Sequence, residues 1–106
     1  MVYEIASYQE LEDLVQSLPK EKMVVLDCYA PWCGPCKALA PFLDSLSLEY
    51  IDVLFLKADV DKIEELTTEF LVSAMPTFIF LKDKAVIGKI EGANQAKLVT
   101  FIEENQ

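Results

Sequence analysis

Apolar residues in this chain occur in two spacings, which alternate along the sequence. Short apolar runs predict strands, and positions three or four apart predict helices. The predicted strands are residues 2–5, 23–29, 53–58, 77–81 and 86–90, and the helices follow Ser7, Pro31, Asp61 and Asn94. Alternation of this kind is typical of parallel βαβ units, and the last two strands are close enough to form an antiparallel hairpin, although residues 82–84 contain no turn glycine. We therefore expect an α/β fold in which four helices cover both faces of a central five-stranded mixed sheet.

Polar residues before three of these helices predict their first turns. Ser7 with Glu10, and Asp61 with Glu64, have the spacing of a capping box. Asn94 is a favoured N-cap residue for the last helix.

Composition limits the class of protein. A chain of 106 residues with 53% hydrophobic residues predicts a single domain over residues 1–106. The net charge of −9 opposes binding to nucleic acid or to an anionic membrane. The absence of histidine excludes Ser-His-Asp triads and histidine metal sites within the chain.

Cysteine usage predicts a reducing compartment. Three cysteines are too few for a secreted disulfide scaffold, and the first residues lack the basic and apolar segments of a secretory signal. No apolar run approaches the ~20 residues that span a bilayer. We therefore expect a cytoplasmic protein.

The motif Cys33-Gly34-Pro35-Cys36 follows a buried strand and opens a helix. Helical residues three apart have Cα atoms roughly 5 Å apart, within reach of a disulfide. Closing so short a loop stabilises a fold by only about 2 kcal/mol, which suits a bond that opens. Cys33, at the helix N-terminus, is favoured as thiolate, and we predict it to be the exposed nucleophile with Cys36 as the resolving thiol. Pro35 fits the first turn.

Two other interpretations of the pair are a packed apolar patch and half of a zinc site. Zinc requires four ligands, and the only further sulfur ligand is Cys28. We therefore predict no metal site. Cys28 itself is expected to be a small buried side chain, with a regulatory or dimer-forming thiol as the alternative.

Asp27 interrupts the second apolar run. On a strand covered on both faces this carboxyl group is buried, and burial raises its pKa. It is then the best proton acceptor available to Cys36. The alternative is a solvated carboxylate at the end of the strand.

The chain resembles the thioredoxin family over essentially its whole length. The matching segments are Trp32-Cys33-Gly34-Pro35-Cys36-Lys37, Leu26-Asp27, Met75-Pro76-Thr77 and Gly92-Ala93. The resemblance implies a thioredoxin fold and a monomeric protein-disulfide reductase that carries electrons through a Cys33–Cys36 disulfide. It also implies reduction of that disulfide by an NADPH-dependent thioredoxin reductase, and it implies that the chain itself binds no cofactor.

The same resemblance implies roles for residues around the motif. Asp27 assists the resolving cysteine, and Lys57 lies near Asp27 and tunes its proton affinity. Gly34 and Pro35 tune the redox pair. The peptide bond before Pro76 is expected to be cis, and the surface that binds substrate is expected to comprise Trp32, Met75, Pro76, Gly92 and Ala93. The Trp32 ring is expected to be partly exposed.

Two other functions compete with a reductase. An oxidase or isomerase of this fold favours a histidine between its cysteines, where this chain has Gly34 and Pro35. The second competing function is a non-catalytic binding subunit of a larger complex, which has the same fold but does not reduce disulfides.

Overall fold

The five-stranded mixed sheet and four helices predicted from the sequence are present in a computed structural model of residues 1–106. The elements are β1 (Tyr3–Glu4), α1 (Tyr8–Ser17), β2 (Val24–Tyr29), α2 (Gly34–Glu49), β3 (Leu54–Asp59), α3 (Glu65–Glu69), β4 (Thr77–Lys82), β5 (Ala85–Glu91) and α4 (Gln95–Asn105). The strands lie in the order β1-β3-β2-β4-β5. β1 and β2 are parallel to β3, β4 is antiparallel to β2, and β5 is antiparallel to β4. None of the helices is long and apolar enough to cross a lipid bilayer.

Helices cover the sheet on both faces, and each face has its own apolar core. Neighbouring residues of β2 contribute to opposite cores, Leu26 to one and Val25 to the other. The first core also contains Leu11 of α1 and Leu66 of α3. The second core contains residues of α2 and α4: Leu39, Leu43, Leu46, Leu98 and Ile102. Because β2 also has a strand on each side, its first five residues are buried.

The N-terminal caps of α1 and α4 are confirmed. The Ser7 hydroxyl accepts the Glu10 N–H at 3.1 Å, and the Asn94 side chain accepts the Lys97 N–H at 3.0 Å. The capping box of α1 is altered in one respect. The Glu10 carboxylate accepts the N–H of Ala6, at 2.6 Å, rather than that of Ser7.

The capping pair predicted for α3 is wrong. Glu64, directly before α3, has helical backbone angles, and no side chain caps this helix. The Asp61 carboxylate instead accepts the indole N–H of Trp32. Asp59 starts the turn, because its carboxylate accepts the Asp61 N–H at 2.9 Å and its carbonyl accepts the N–H of Ile63 at 3.0 Å.

The predicted hairpin is confirmed, with a two-residue turn that lacks glycine. Asp83 and Lys84 join β4 to β5 and have φ values of +53° and +64°. Turns with two residues of positive φ follow the twist of the strands they connect. A side chain in this left-handed region costs free energy that glycine avoids, and here the paired strands overcome that cost.

Gly88 makes room on β5 for a ring of α4. A Cβ atom at Gly88 would lie 2.3 Å from the Phe101 ring, far inside van der Waals contact. Gly88 is paired with Phe80 on β4, and the Phe80 and Phe101 rings have centroids 4.1 Å apart. The missing side chain therefore lets α4 pack closely against the hairpin.

We predict that Gly88→Ala lowers the free energy of unfolding by about 1–3 kcal/mol, the usual range for overpacking. Urea unfolding measures this change. In the double variant Gly88→Ala/Phe101→Leu, the smaller side chain relieves the clash, so the combined cost should be less than the sum of the single costs. Additive costs would show that the Phe101 ring does not oppose the new methyl group.

Candidate active site

The two cysteines of the predicted motif lie where β2 leads into α2. Cys33 is the N-cap residue of α2 and Cys36 lies in its first turn, with Pro35 between them at a position that needs no N–H. The two sulfur atoms form a disulfide, and the Cα atoms are 5.3 Å apart, as helical spacing predicts. The Cys33 sulfur also accepts the Cys36 N–H at 3.1 Å. N–H groups at a helix N-terminus favour negative charge on that sulfur.

Both cysteines are buried, so the predicted exposure of Cys33 is wrong for the disulfide form. Cys33 is 4% exposed and Cys36 is 7% exposed. The reason is that both cysteine side chains pack into the first core. A Cβ atom at Gly34 would meet nothing within 4 Å, so open space remains beside this part of the motif.

Trp32 is exposed, as expected, and is held by a contact that the sequence did not indicate. The residue is 69% exposed, and its Nε1 donates to Asp61 Oδ2 at 3.1 Å. The two residues are 29 positions apart, so no local pattern links them.

Asp27 is buried beneath the motif, which excludes a solvated strand-end carboxylate. The residue is 7% exposed, and its Oδ1 atom has no hydrogen-bond partner. Burial raises the pKa of this carboxyl from 3.8 to about 7, and the positive charge of Lys57 acts in the opposite direction. The proton of Asp27 is therefore gained and lost near neutral pH.

Lys57 and Cys36 share a cleft with Asp27. Lys57 is the partner of Asp27 in the pairing of β2 with β3. The cleft has a volume of about 280 Å³, and its lining also includes Tyr29 and Lys37. Tyr29 and Lys37 were not predicted as site residues. The Asp27 carboxyl and Cys36 thus have a common opening toward solvent.

The segment Met75–Pro76 forms a second part of the site. Its peptide bond is cis, as the family resemblance implied. Met75 packs against the core that contains both cysteines, and the Gly92 N–H donates to the Pro76 carbonyl at 2.8 Å. Gly92 has a φ of +93°, a conformation that favours glycine. Ala93 follows it at the surface.

Cys28 is buried and unpaired, as expected of a small core side chain. Burial raises the pKa of its thiol to about 12, and the nearby Asp27 adds to the shift. A thiol with this pKa stays protonated at neutral pH and is a poor nucleophile. No three His, Cys, Asp or Glu side chains are arranged to hold a metal ion.

A disulfide that closes so short a loop opens readily, and the helix N-terminus favours the thiolate that opening releases. Fold and disulfide together define a thiol–disulfide oxidoreductase. The thioredoxin family model matches residues 3–104, and the chain belongs to the thioredoxin family.

Individual thioredoxins are similar to the chain over nearly its whole length, and so is one segment of a longer protein. The chain is 43% identical to thioredoxin of Sus scrofa over 98% of both sequences. It is 31% identical, over 98% of its own length, to the peptide-N(4)-(N-acetyl-beta-glucosaminyl)asparagine amidase of Caenorhabditis briggsae, of which it spans 17%. The solved structure of Fasciola hepatica thioredoxin matches with a TM-score of 0.94 and 38% identity, covering 99% of this chain and 100% of that one. The predicted protein-disulfide reductase of thioredoxin type is thereby confirmed.

We predict that Asp27→Ala stabilises the oxidised protein more at pH 8 than at pH 5. Between pH 3.8 and about 7 the folded chain holds a proton that the unfolded chain has released. The stability contributed by the neutral carboxyl is therefore complete below about pH 4 and is lost as the pH rises through 7. The loss is about 1.5 kcal/mol at pH 5 and about 4 kcal/mol at pH 8. The gain on removing the carboxyl should thus be about 2–3 kcal/mol larger at pH 8.

Urea unfolding of the oxidised protein at both pH values measures the difference. Asp27→Asn has nearly the original volume and controls for the cavity left by alanine, so it should show the same dependence on pH. Equal changes in unfolding free energy at pH 5 and pH 8 would contradict a raised pKa.

Proposed function

We propose that Cys33 is the nucleophile and Cys36 the resolving thiol of the reductase. In the reduced chain, the Cys33 thiolate attacks one sulfur of a substrate disulfide and displaces the other as a thiolate. Cys36 then attacks the Cys33 sulfur, which re-forms the internal disulfide and releases the second substrate thiolate. The observation that carries this assignment is the position of the Cys33 sulfur at the N-cap of α2, where it accepts the Cys36 N–H.

Asp27 is the proposed proton acceptor for Cys36. The two side chains line the same cleft, and the pKa of Asp27, about 7, lies near the pH at which the reaction runs. Lys57, paired with Asp27 across the strands, lowers that pKa and so tunes it. Gly34 and Pro35 tune the pair by shaping the turn between the cysteines.

The proposed substrate surface surrounds the disulfide. It comprises Trp32, Met75, Pro76, Gly92 and Ala93. The exposed Trp32 ring supplies apolar contact, and the backbone at Met75 is proposed to pair with an extended segment of the substrate protein. Because the cysteines are buried, a substrate sulfur has to approach closely along this surface.

The family and the charge support a proposal about partners and compartment. We propose that residues 1–106 act as one domain and as a monomer, in the cytosol, in electron transport from an NADPH-dependent thioredoxin reductase to disulfides in other proteins. The free thiol of Cys28 supports a reducing compartment, and the net charge of −9 disfavours nucleic acid and membrane surfaces as partners.

A non-catalytic binding module is the second candidate. The observation that favours it is that the chain resembles 17% of a much longer amidase, so this domain also occurs inside larger proteins. The complete Cys33–Cys36 pair favours the reductase. An NADPH-coupled insulin-reduction assay with thioredoxin reductase separates the two, because a folded chain that binds partners but does not turn over would be a binding module.

We predict that Cys33→Ser abolishes insulin reduction and that Cys36→Ser accumulates mixed disulfides with the substrate. The first change removes the attacking thiolate, whereas the second leaves attack intact and prevents resolution. Non-reducing gel electrophoresis followed by mass spectrometry detects the adducts. Cys28→Ala serves as a control that removes a thiol outside the cycle and should keep turnover within a few-fold. Adducts formed by Cys33→Ser through Cys36 would reverse the assigned roles.

A further inference from the structure

Lys89 on β5 forms hydrogen bonds with the segment that follows α3. Its ammonium group donates to the carbonyl of Leu71 at 3.0 Å and to that of Phe70 at 3.5 Å. Phe70 and Leu71 come directly after α3, where carbonyl groups lack helical partners and carry partial negative charge. A cation is the favoured partner at this end of a helix.

The segment requires an additional contact there because the chain leaves α3 through a left-handed conformation at Leu71, which is not a glycine. Its φ is +55°, in the left-handed region that glycine usually occupies after a helix. The Leu71 side chain is 71% exposed, so its own packing does little to hold this conformation. The Lys89 ammonium compensates by binding the Leu71 carbonyl directly.

β5 and its end hold both ends of the segment from Phe70 to Pro76. Lys89 holds the beginning, and the Gly92 N–H holds the end through the Pro76 carbonyl at 2.8 Å. Met75 lies between these two attachments. Met75 packs against the core that contains both cysteines, and the position of its backbone therefore depends on β5 at two points three residues apart.

We propose that Lys89 is a positioning residue for protein substrates, which keeps residues 70–75 ordered for pairing with a substrate chain. The inference rests on the role proposed above for the Met75 backbone. A segment that has to be ordered during binding weakens the complex with an extended protein chain. A small disulfide that meets only the sulfur atoms does not need this order.

The test compares Lys89→Met, which keeps most of the stem and removes the ammonium group, with Lys89→Arg, which keeps a charged donor. Lys97→Met removes the same charge from an exposed position on α4 and is the matched control. We expect Lys89→Met to raise KM for insulin about three- to tenfold with kcat unchanged. Its reduced form should react with 5,5′-dithiobis(2-nitrobenzoic acid) at the rate of the original chain. Lys89→Arg should restore KM, and Lys97→Met should leave it unchanged.

Amide hydrogen exchange of residues 71–75 reports the order of the segment independently of activity. We expect faster exchange there in Lys89→Met alone. An unchanged exchange rate, or faster exchange with an unchanged KM for insulin, would overturn the proposal. An equal loss toward insulin and the small disulfide would also overturn it. If the original chain itself fails to reduce the small disulfide, the proposed cysteine chemistry fails instead, so the two failures are distinguishable.

Discussion

Burial of one carboxyl group on the central strand is the constraint on which the active site depends. Asp27 is enclosed because β2 has a strand on each side and an apolar core on each face. Its Oδ1 atom has no partner, and Lys57 only partly offsets the cost of a charge there. A solvated carboxylate would remain ionised at neutral pH. The fold thus gives up stability at neutral pH and gains a group whose protonation changes in that range.

The features that could be predicted from the sequence are local. The caps at Ser7 and Asn94 involve residues three apart, and the disulfide joins residues one helical turn apart. Apolar spacing was sufficient to predict the succession of strands and helices along the chain. The reason is that each face of β2 packs against an apolar core and each long helix has one apolar stripe. Burial of Asp27 followed from the same pattern.

The features that could not be predicted depend on contacts between distant segments. Asp61 has the spacing of a helix cap, yet its carboxylate accepts a hydrogen bond from the Trp32 indole N–H instead. Cys33 is buried because the motif packs onto the first core, which no spacing within the motif reveals. The cis bond at Pro76 and the proximity of Lys57 to Asp27 were expected only from the family resemblance. Neither follows from apolar periodicity, because strand pairing and tertiary contacts decide them.

The burial of Cys28 has a consequence for chemical labelling of thiols. The chain has three sulfur atoms from cysteine, and the one on the central strand has a pKa of about 12. That sulfur is buried and stays protonated while the sheet is intact. The other two sulfurs form the disulfide, so the native oxidised chain offers no reactive thiol to an alkylating reagent. The third thiol becomes a reactant only when the strand that contains it separates from its neighbours, so its accessibility reports unfolding rather than redox state.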